Sequence, residues 1–573
     1  MKIPARWNQH AGLALMLALA FIAGAWLRLY LIRDQVLIDD EWHGFYYVLG
    51  KSPGFLFTHF SIPGATCIPL NLYGWALGAT VGWSETLLRL PSLIFGIGFV
   101  VIGPLLAREL VGERRAVFFG LILAVCPMLI FYSRISRPYS AVALLSFLAL
   151  MSAARWVQTG RFWLGLLYAG AASLAIYFHL FAMVSVLAPI FLGIIFHAWS
   201  RWIRKGPATG PPFWQWCAVA GSIAALISVL VLPALLHSLH TTFFTIARAG
   251  TFDARALTRV AVLIAGTGQP ILAILFWGMV IVGAIEQTRR NLWFGVLLLS
   301  LYPLQALALV ISRPESAQSA IVLARYCIPL VPVSLLLASC GVQFVLETIA
   351  TRARLQPVLQ TTISFACVAA LAAAGPLPQC YFSPNSFTSH GAYQHRYGLI
   401  DWRRSFYSDL TPAGFSLVTT IRADEVSPFY RMLGEQHGQR PIVEYPMLIG
   451  DHFNPLYYYQ YFHRRPVLVG YASDVTLSRG LAAGNIFGNT YIDQVLTLVR
   501  DPARLKFHNL VSMDDLQDMR RRGAEYVILH KIFEAQLSAV ASTPPDLERL
   551  WLSYRKTLGA PAYEDDHIAV FRL

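Results

Sequence analysis

The chain has 573 residues, of which 56% are hydrophobic and only 13% charged, with a formal net charge of +14. Soluble domains carry about 25% charged residues, so this balance and the mean hydropathy of +0.53 exclude an ordinary soluble protein. The Lys and Arg sit mostly in short links between apolar runs, which speaks for membrane topology rather than nucleic acid. The seven cysteines show no CxxC or Cys/His spacing, which argues against a disulfide framework or a zinc site.

A bilayer-spanning helix needs about 20 mostly apolar residues, because lipid offers its backbone no hydrogen-bond partners. Taken in chain order, such runs fall near 11–32, 87–107, 116–133, 138–156, 162–179, 181–199, 214–236, 259–284, 291–311, 326–346 and 357–375. They predict an α-helical polytopic membrane protein with about eleven transmembrane helices. The first run is too long for a signal-peptide core and lacks an A-x-A exit, so it reads as an anchor. With Lys2 and Arg6 in the cytoplasm, the links Arg108–Arg115, Arg155–Arg161, Arg201–Lys205, Glu286–Arg290 and Glu347–Arg354 all face the same way, and each is basic. An odd span count then places 376–573 outside, behind a membrane domain over 1–375. Charges are spread throughout this tail. Its β-like runs are Ser416–Ile421, Pro441–Tyr445, Val467–Tyr471, Tyr526–His530 and Ile568–Leu573, with helical stretches such as Met513–Arg521 between them. That pattern predicts a C-terminal extracytoplasmic α/β domain.

Topology leaves two features of the outer face unexplained. The loop after the first span, about 33–89, opens with Ile38-Asp39-Asp40-Glu41-Trp42-His43-Gly44-Phe45-Tyr46-Tyr47. Three carboxylates at a membrane exit can cap an interfacial helix electrostatically. One of them can instead accept a proton from an acceptor hydroxyl or amine as a general base. The second feature is positive charge where the positive-inside rule makes it scarce: Arg134 and Arg137 in Tyr132-Ser133-Arg134-Ile135-Ser136-Arg137-Pro138-Tyr139, then Arg313, then Arg325-Tyr326. An arginine at a bilayer edge snorkels, pairs, or holds an anion such as a lipid phosphate, for which its planar fork is suited.

Asp40-Glu41-Trp42-His43-Gly44 resembles the Asp-Glu motif in the first outer loop of the GT-C superfamily, closest to protein O-mannosyltransferases and similar to the aminoarabinose transferases that modify lipid A. Cys67-Ile68-Pro69-Leu70-Asn71-Leu72-Tyr73, Leu88-Arg89-Leu90-Pro91-Ser92, Ser133–Tyr139 and Arg325-Tyr326-Cys327-Ile328-Pro329 are similar to further motifs of that family, in the same order. The resemblance is clearest over about residues 28–150. It implies an inverting glycosyltransferase that moves a sugar from a polyprenyl-phosphate-linked donor to an envelope glycan, lipid or protein. The reaction would lie at the outer face of a bacterial inner membrane. Carried over by position, Asp40 matches the catalytic aspartate and Glu41 its neighbour. His43, Arg134, Arg137, Tyr139, Arg325 and Tyr326 become substrate-binding candidates, with the arginines on the donor phosphate. The additional Asp39 leaves Asp39, Asp40 and Glu41 all open as the base.

Other readings stay open beside these. The three carboxylates also suit a divalent metal such as Mg²⁺ or Mn²⁺, although no cofactor is required by the pattern. His59, His179 and His237 fit surface or helix-end positions, and Tyr457–His463 can stack on a sugar or pack the tail. The rival class is a lipid or polysaccharide transporter or flippase, which would place charges in mid-span or break helices symmetrically in two halves. Mid-span Asp, Glu and Lys are nearly absent, and the charges gather at one surface instead.

Overall fold

The computed structural model describes residues 5–30, 32, 35–36, 41, 44, 47–48, 51–60, 67–82, 84–202, 210–238, 254–312, 320–353, 357–375, 377–378, 419–420, 426–436, 440–445, 462–463, 465, 511, 513–531 and 547–573. They form two compact units: one from the described residues of 1–32 and 48–378, the other from those of 33–47 and 411–573.

The first unit is helical throughout. Its helices are α1 (Ala5–Leu29), α2 (Pro53–Thr58), α3 (Ile68–Ala79), α4 (Glu85–Val111), α5 (Glu113–Val125), α6 (Pro127–Ser133), α7 (Tyr139–Thr159), α8 (Phe162–Phe178), α9 (Ala182–Trp202) and α10 (Phe213–Leu230). They continue with α11 (Ala254–Ala265), α12 (Pro270–Arg290), α13 (Leu292–Ser312), α14 (Ala320–Tyr326), α15 (Leu330–Ala353) and α16 (Pro357–Ala374). Six are long and apolar enough to cross a bilayer, α4, α7, α10, α12, α13 and α15. The pair α5–α6, bent by 60°, adds a seventh if it is one span, and α1, α8, α9 and α16 contain shorter apolar segments. The protein is a multi-pass membrane protein.

Two of the expected runs are interrupted. Where 116–133 reads as one span, the chain bends at Cys126-Pro127, because a proline can donate no bond to the preceding turn. Where 259–284 reads as one span, α11 ends at Gly266, whose φ of +76° turns the chain, and Pro270 opens α12. Inside the unit α12 and α15 lie backbone to backbone. A Cβ on Gly283 would stand 1.9 Å from the Leu337 carbonyl, and one on Gly341 would stand 2.0 Å from that of Met279. Small residues at such crossings are how apolar helices approach closely in lipid.

Charged links close one end of this bundle. Arg115, nearly fully buried, donates to Glu347 at 2.7 Å and pairs with Glu286 at 3.3 Å; Arg290 also meets Glu286, and Arg155 meets Glu109. A buried ion pair holds only when its partners are multiple and well placed. The start of α5, the end of α12 and the end of α15 are thereby tied together. The opposite ends of these helices carry the candidate site.

The second unit contains β1 (Gln35–Val36), antiparallel to β2 (Thr419–Thr420), so the segment leaving the first helix joins the tail. A four-stranded sheet follows, in the order β3 (Ile442–Tyr445), β4 (Tyr526–His530), β6 (Ile568–Arg572), β5 (Tyr563–Glu564). The β3–β4 pair is parallel, with Val443 opposite Val527; the other pairs are antiparallel. A parallel pair needs a crossover, and α18 (Met513–Arg521) lies in that connection, while α17 (Pro428–Glu435) precedes β3 and α19 (Leu547–Leu558) precedes β5. The α/β expectation matches four of the five β-like runs; the fifth, Val467–Tyr471, lies outside the described residues. At the β5–β6 turn, Asp565 accepts from Ser427 at 2.6 Å and from the His567 and Ile568 N–H groups at 2.8 Å. Burial acts to raise this carboxyl, but the hydrogen bonds prevail and hold it below its ordinary value.

Candidate functional site

The site is built on prolines that leave backbone carbonyls unclaimed. In α4, Pro91 has no N–H to offer the carbonyl of Leu87, and the Tyr73 hydroxyl takes its place at 2.8 Å. The next carbonyl, Leu88, accepts from Ser136 Oγ at 2.9 Å, and Ser92 Oγ donates to the Arg137 carbonyl at 2.9 Å. These bonds anchor the 133–139 turn to α4. At the α5–α6 break, Pro127 likewise frees the Leu123 carbonyl. The Arg28 guanidinium, fully buried at the end of α1, donates to Ala124 at 3.0 Å, to Leu123 at 3.4 Å and to Ser133 Oγ at 3.2 Å. Arg134 returns the favour. Its Nη1 donates to the carbonyls of Leu27 and Arg28, 3.2 and 3.0 Å away, capping α1. Gly96 on α4 makes room, since a Cβ there would stand 1.9 Å from Ser133 Oγ.

Arg134 is therefore fully buried and engaged with backbone carbonyls, whereas Arg137 and Arg325 are only half-buried. Both of these charges act on one imidazole, that of His179, which follows the last residue of α8 and is 6% exposed. Tyr139 and Tyr326 stand beside the same ring, with centroids 5.7 and 6.0 Å from it. Phe181 stacks obliquely on Tyr326 at 4.4 Å, and Tyr132 on Tyr139 at 4.7 Å. The Arg137 charge also reaches Cys67 at the head of α3. Behind Tyr326, the fully buried Gln305 of α13 donates to the Tyr326 carbonyl at 2.7 Å and accepts from Ser185 Oγ at 3.2 Å. Thus Arg137, Tyr139, Arg325 and Tyr326, far apart in sequence, share one neighbourhood in the helical unit. It presents two cations and two phenols.

The acidic motif is described only in part. Glu41 is 2% exposed; Asp39, Asp40 and His43 lie outside the described residues, as does Arg313. Among the described residues no group of three or more His, Cys, Asp or Glu side chains is arranged to hold a metal ion.

Sequence reasoning gave His179 no more than a helix-end role and did not single out Arg28, Gln305 or Ser185. The prolines inside apolar runs were the available signal for Arg28, since each one leaves a carbonyl to be claimed. His463, the end of the aromatic stretch, is buried in the second unit, 3.8 Å from Glu444 and with its ring 5.6 Å from that of Tyr430. Tyr430 donates to Glu444 at 2.9 Å, and His530 meets the same carboxylate. Burial, then the nearby Arg465, pushes the His463 imidazole down to about 3. This end of the stretch packs the tail; residues 457–461 lie outside the described set.

No family profile matches the sequence, and no curated protein does. Solved structures do. The crystal structure of ArnT from Cupriavidus metallidurans in the apo state is 15% identical, covers 99% of this chain and 98% of its own, and superposes with a TM-score of 0.56. The fold is that of ArnT. The same protein bound to undecaprenyl phosphate is 14% identical, with coverage of 100% and 98% and a TM-score of 0.52. The likeness to ArnT includes the C-terminal unit, because both chains are covered nearly end to end.

Proposed function

We propose that the chain is a membrane glycosyltransferase that moves a sugar from a polyprenyl-phosphate-linked donor to a glycan, lipid or protein acceptor at the outer face of a bacterial inner membrane. The observation that carries this reading is the meeting of Arg137, Arg325, Tyr139 and Tyr326 around one buried ring, in a chain with the fold of a protein that binds undecaprenyl phosphate. A lipid-linked donor accounts for the two accessible cations at a helix end: its tail stays in the apolar phase while its phosphate meets guanidinium groups.

In the proposed step Asp40 removes the proton from the acceptor hydroxyl or amine. The acceptor atom attacks the anomeric carbon, and the bond from that carbon to the phosphate oxygen breaks, with inversion. Polyprenyl phosphate leaves with the bonding electrons, and Arg137 and Arg325 stabilise the charge that develops on it. Arg134 positions the 133–139 turn, and Glu41 orients the acceptor. A Mg²⁺ or Mn²⁺ held by Asp39, Asp40 and Glu41 would supply further charge neutralisation there; the step as written needs none. The second unit lies on the extracytoplasmic side, where the acceptor is found.

Asp40→Asn tests the assignment, because it keeps the size of the side chain and removes the proton acceptor. General-base catalysis is worth about 10²–10⁴-fold, so transfer from a polyprenyl-phosphate sugar should fall by that order while donor binding holds. Wild-type turnover in Asp40→Asn together with an inactive Asp39→Asn would move the base by one residue; full activity in Asp39→Asn, Asp40→Asn and Glu41→Gln would sink the reading.

A further inference from the structure

His179 stands at the centre of the cluster, and the transfer step gives it no task. Its Nδ1 accepts from the Phe181 N–H at 3.3 Å. A ring nitrogen that accepts carries no proton, so the ring is neutral and its proton is on Nε2. Nε2 has no hydrogen-bond partner among the described residues, and unlike the fully enclosed polar atoms of the bundle it keeps accessible surface, so it is open to a ligand. The charges of Arg137 and Arg325 bear on this ring, and Tyr139 and Tyr326 stand beside it. An N–H donor within the field of two guanidinium groups suits a phosphate, which has more oxygens to satisfy than one arginine fork can take.

We infer that His179 is a third phosphate-binding residue of the donor site, with its Nε2–H donating to a non-bridging oxygen of the polyprenyl phosphate held by Arg137 and Arg325. The inference rests on the donor-phosphate reading of those arginines. It goes beyond a helix-end role, which uses Nδ1 alone.

Three variants of the full chain, purified in detergent and titrated with undecaprenyl phosphate, separate the two roles. His179→Asn keeps an oxygen near the Nδ1 position for the Phe181 N–H but loses the distal donor. Its melting temperature should hold and its affinity should fall about ten-fold, as for loss of a hydrogen bond to a charged group. His179→Gln, whose amide reaches the Nε2 position, should keep most of the affinity, and His179→Ala should lose both affinity and some heat stability. Wild-type affinity in His179→Asn would overturn the inference, as would equal losses in the Asn and Gln variants. A wild-type chain that binds no undecaprenyl phosphate would instead defeat the donor-site reading itself.

Discussion

Only two residues separate Arg134 from Arg137, yet the first is fully buried against the carbonyls of Leu27 and Arg28 while the second stays half-buried near His179. Their substitutions should therefore differ. Arg134→Ala leaves two buried carbonyls short of a donor, at a cost of about 1–3 kcal/mol, and should lower the melting temperature. Arg137→Ala and Arg325→Ala should leave the fold intact and weaken undecaprenyl phosphate binding about ten-fold, with Lys restoring only part because it lacks the fork. Unchanged affinity in both would reduce these arginines to topology. The sequence marks all three as cations on the sparsely charged side of the membrane. It does not separate them, because the carbonyls that occupy Arg134 belong to α1, more than 100 residues away in the chain.

At the scale of elements, the helices follow from apolar runs and the breaks from prolines and one glycine. Pro127 and Gly266 were visible in the sequence, but an apolar run continues through each, so hydropathy alone joins what the backbone divides. The strands Tyr526–His530 and Ile568–Arg572 were legible because both lie within short apolar runs bounded by charge. Their pairing was not, since register depends on partners distant in sequence. The Gly283–Gly341 crossing was equally hidden, because a glycine within a span looks the same whether it faces lipid or another backbone. Gly341→Ala places a methyl where the Met279 carbonyl stands 2.0 Å away. The variant should force α12 and α15 apart and lower the melting temperature of the detergent-solubilised chain; an unaltered melt would mean that the two helices do not require this approach.

Across the whole molecule, four of the five basic links meet in ion pairs at one end of the helical unit, involving Arg115, Arg155, Glu286, Arg290 and Glu347. Arg137, Arg325 and their aromatic neighbours lie at the opposite helix ends. The positive-inside rule favours the ion pairs in the cytoplasm, and the tail outside is the proposal that a topology reporter tests. A reporter that is active only in the cytoplasm should be silent when fused after Leu573, and strong activity there would overturn the orientation. The most direct test of the central claim is an experimental structure of the full chain with undecaprenyl phosphate bound. The account predicts the phosphate within hydrogen-bond distance of the Arg137 and Arg325 guanidinium groups, with the Asp40 carboxylate facing the side from which an acceptor would approach. A phosphate seated elsewhere, with Arg137 and Arg325 paired to protein carboxylates, would contradict it.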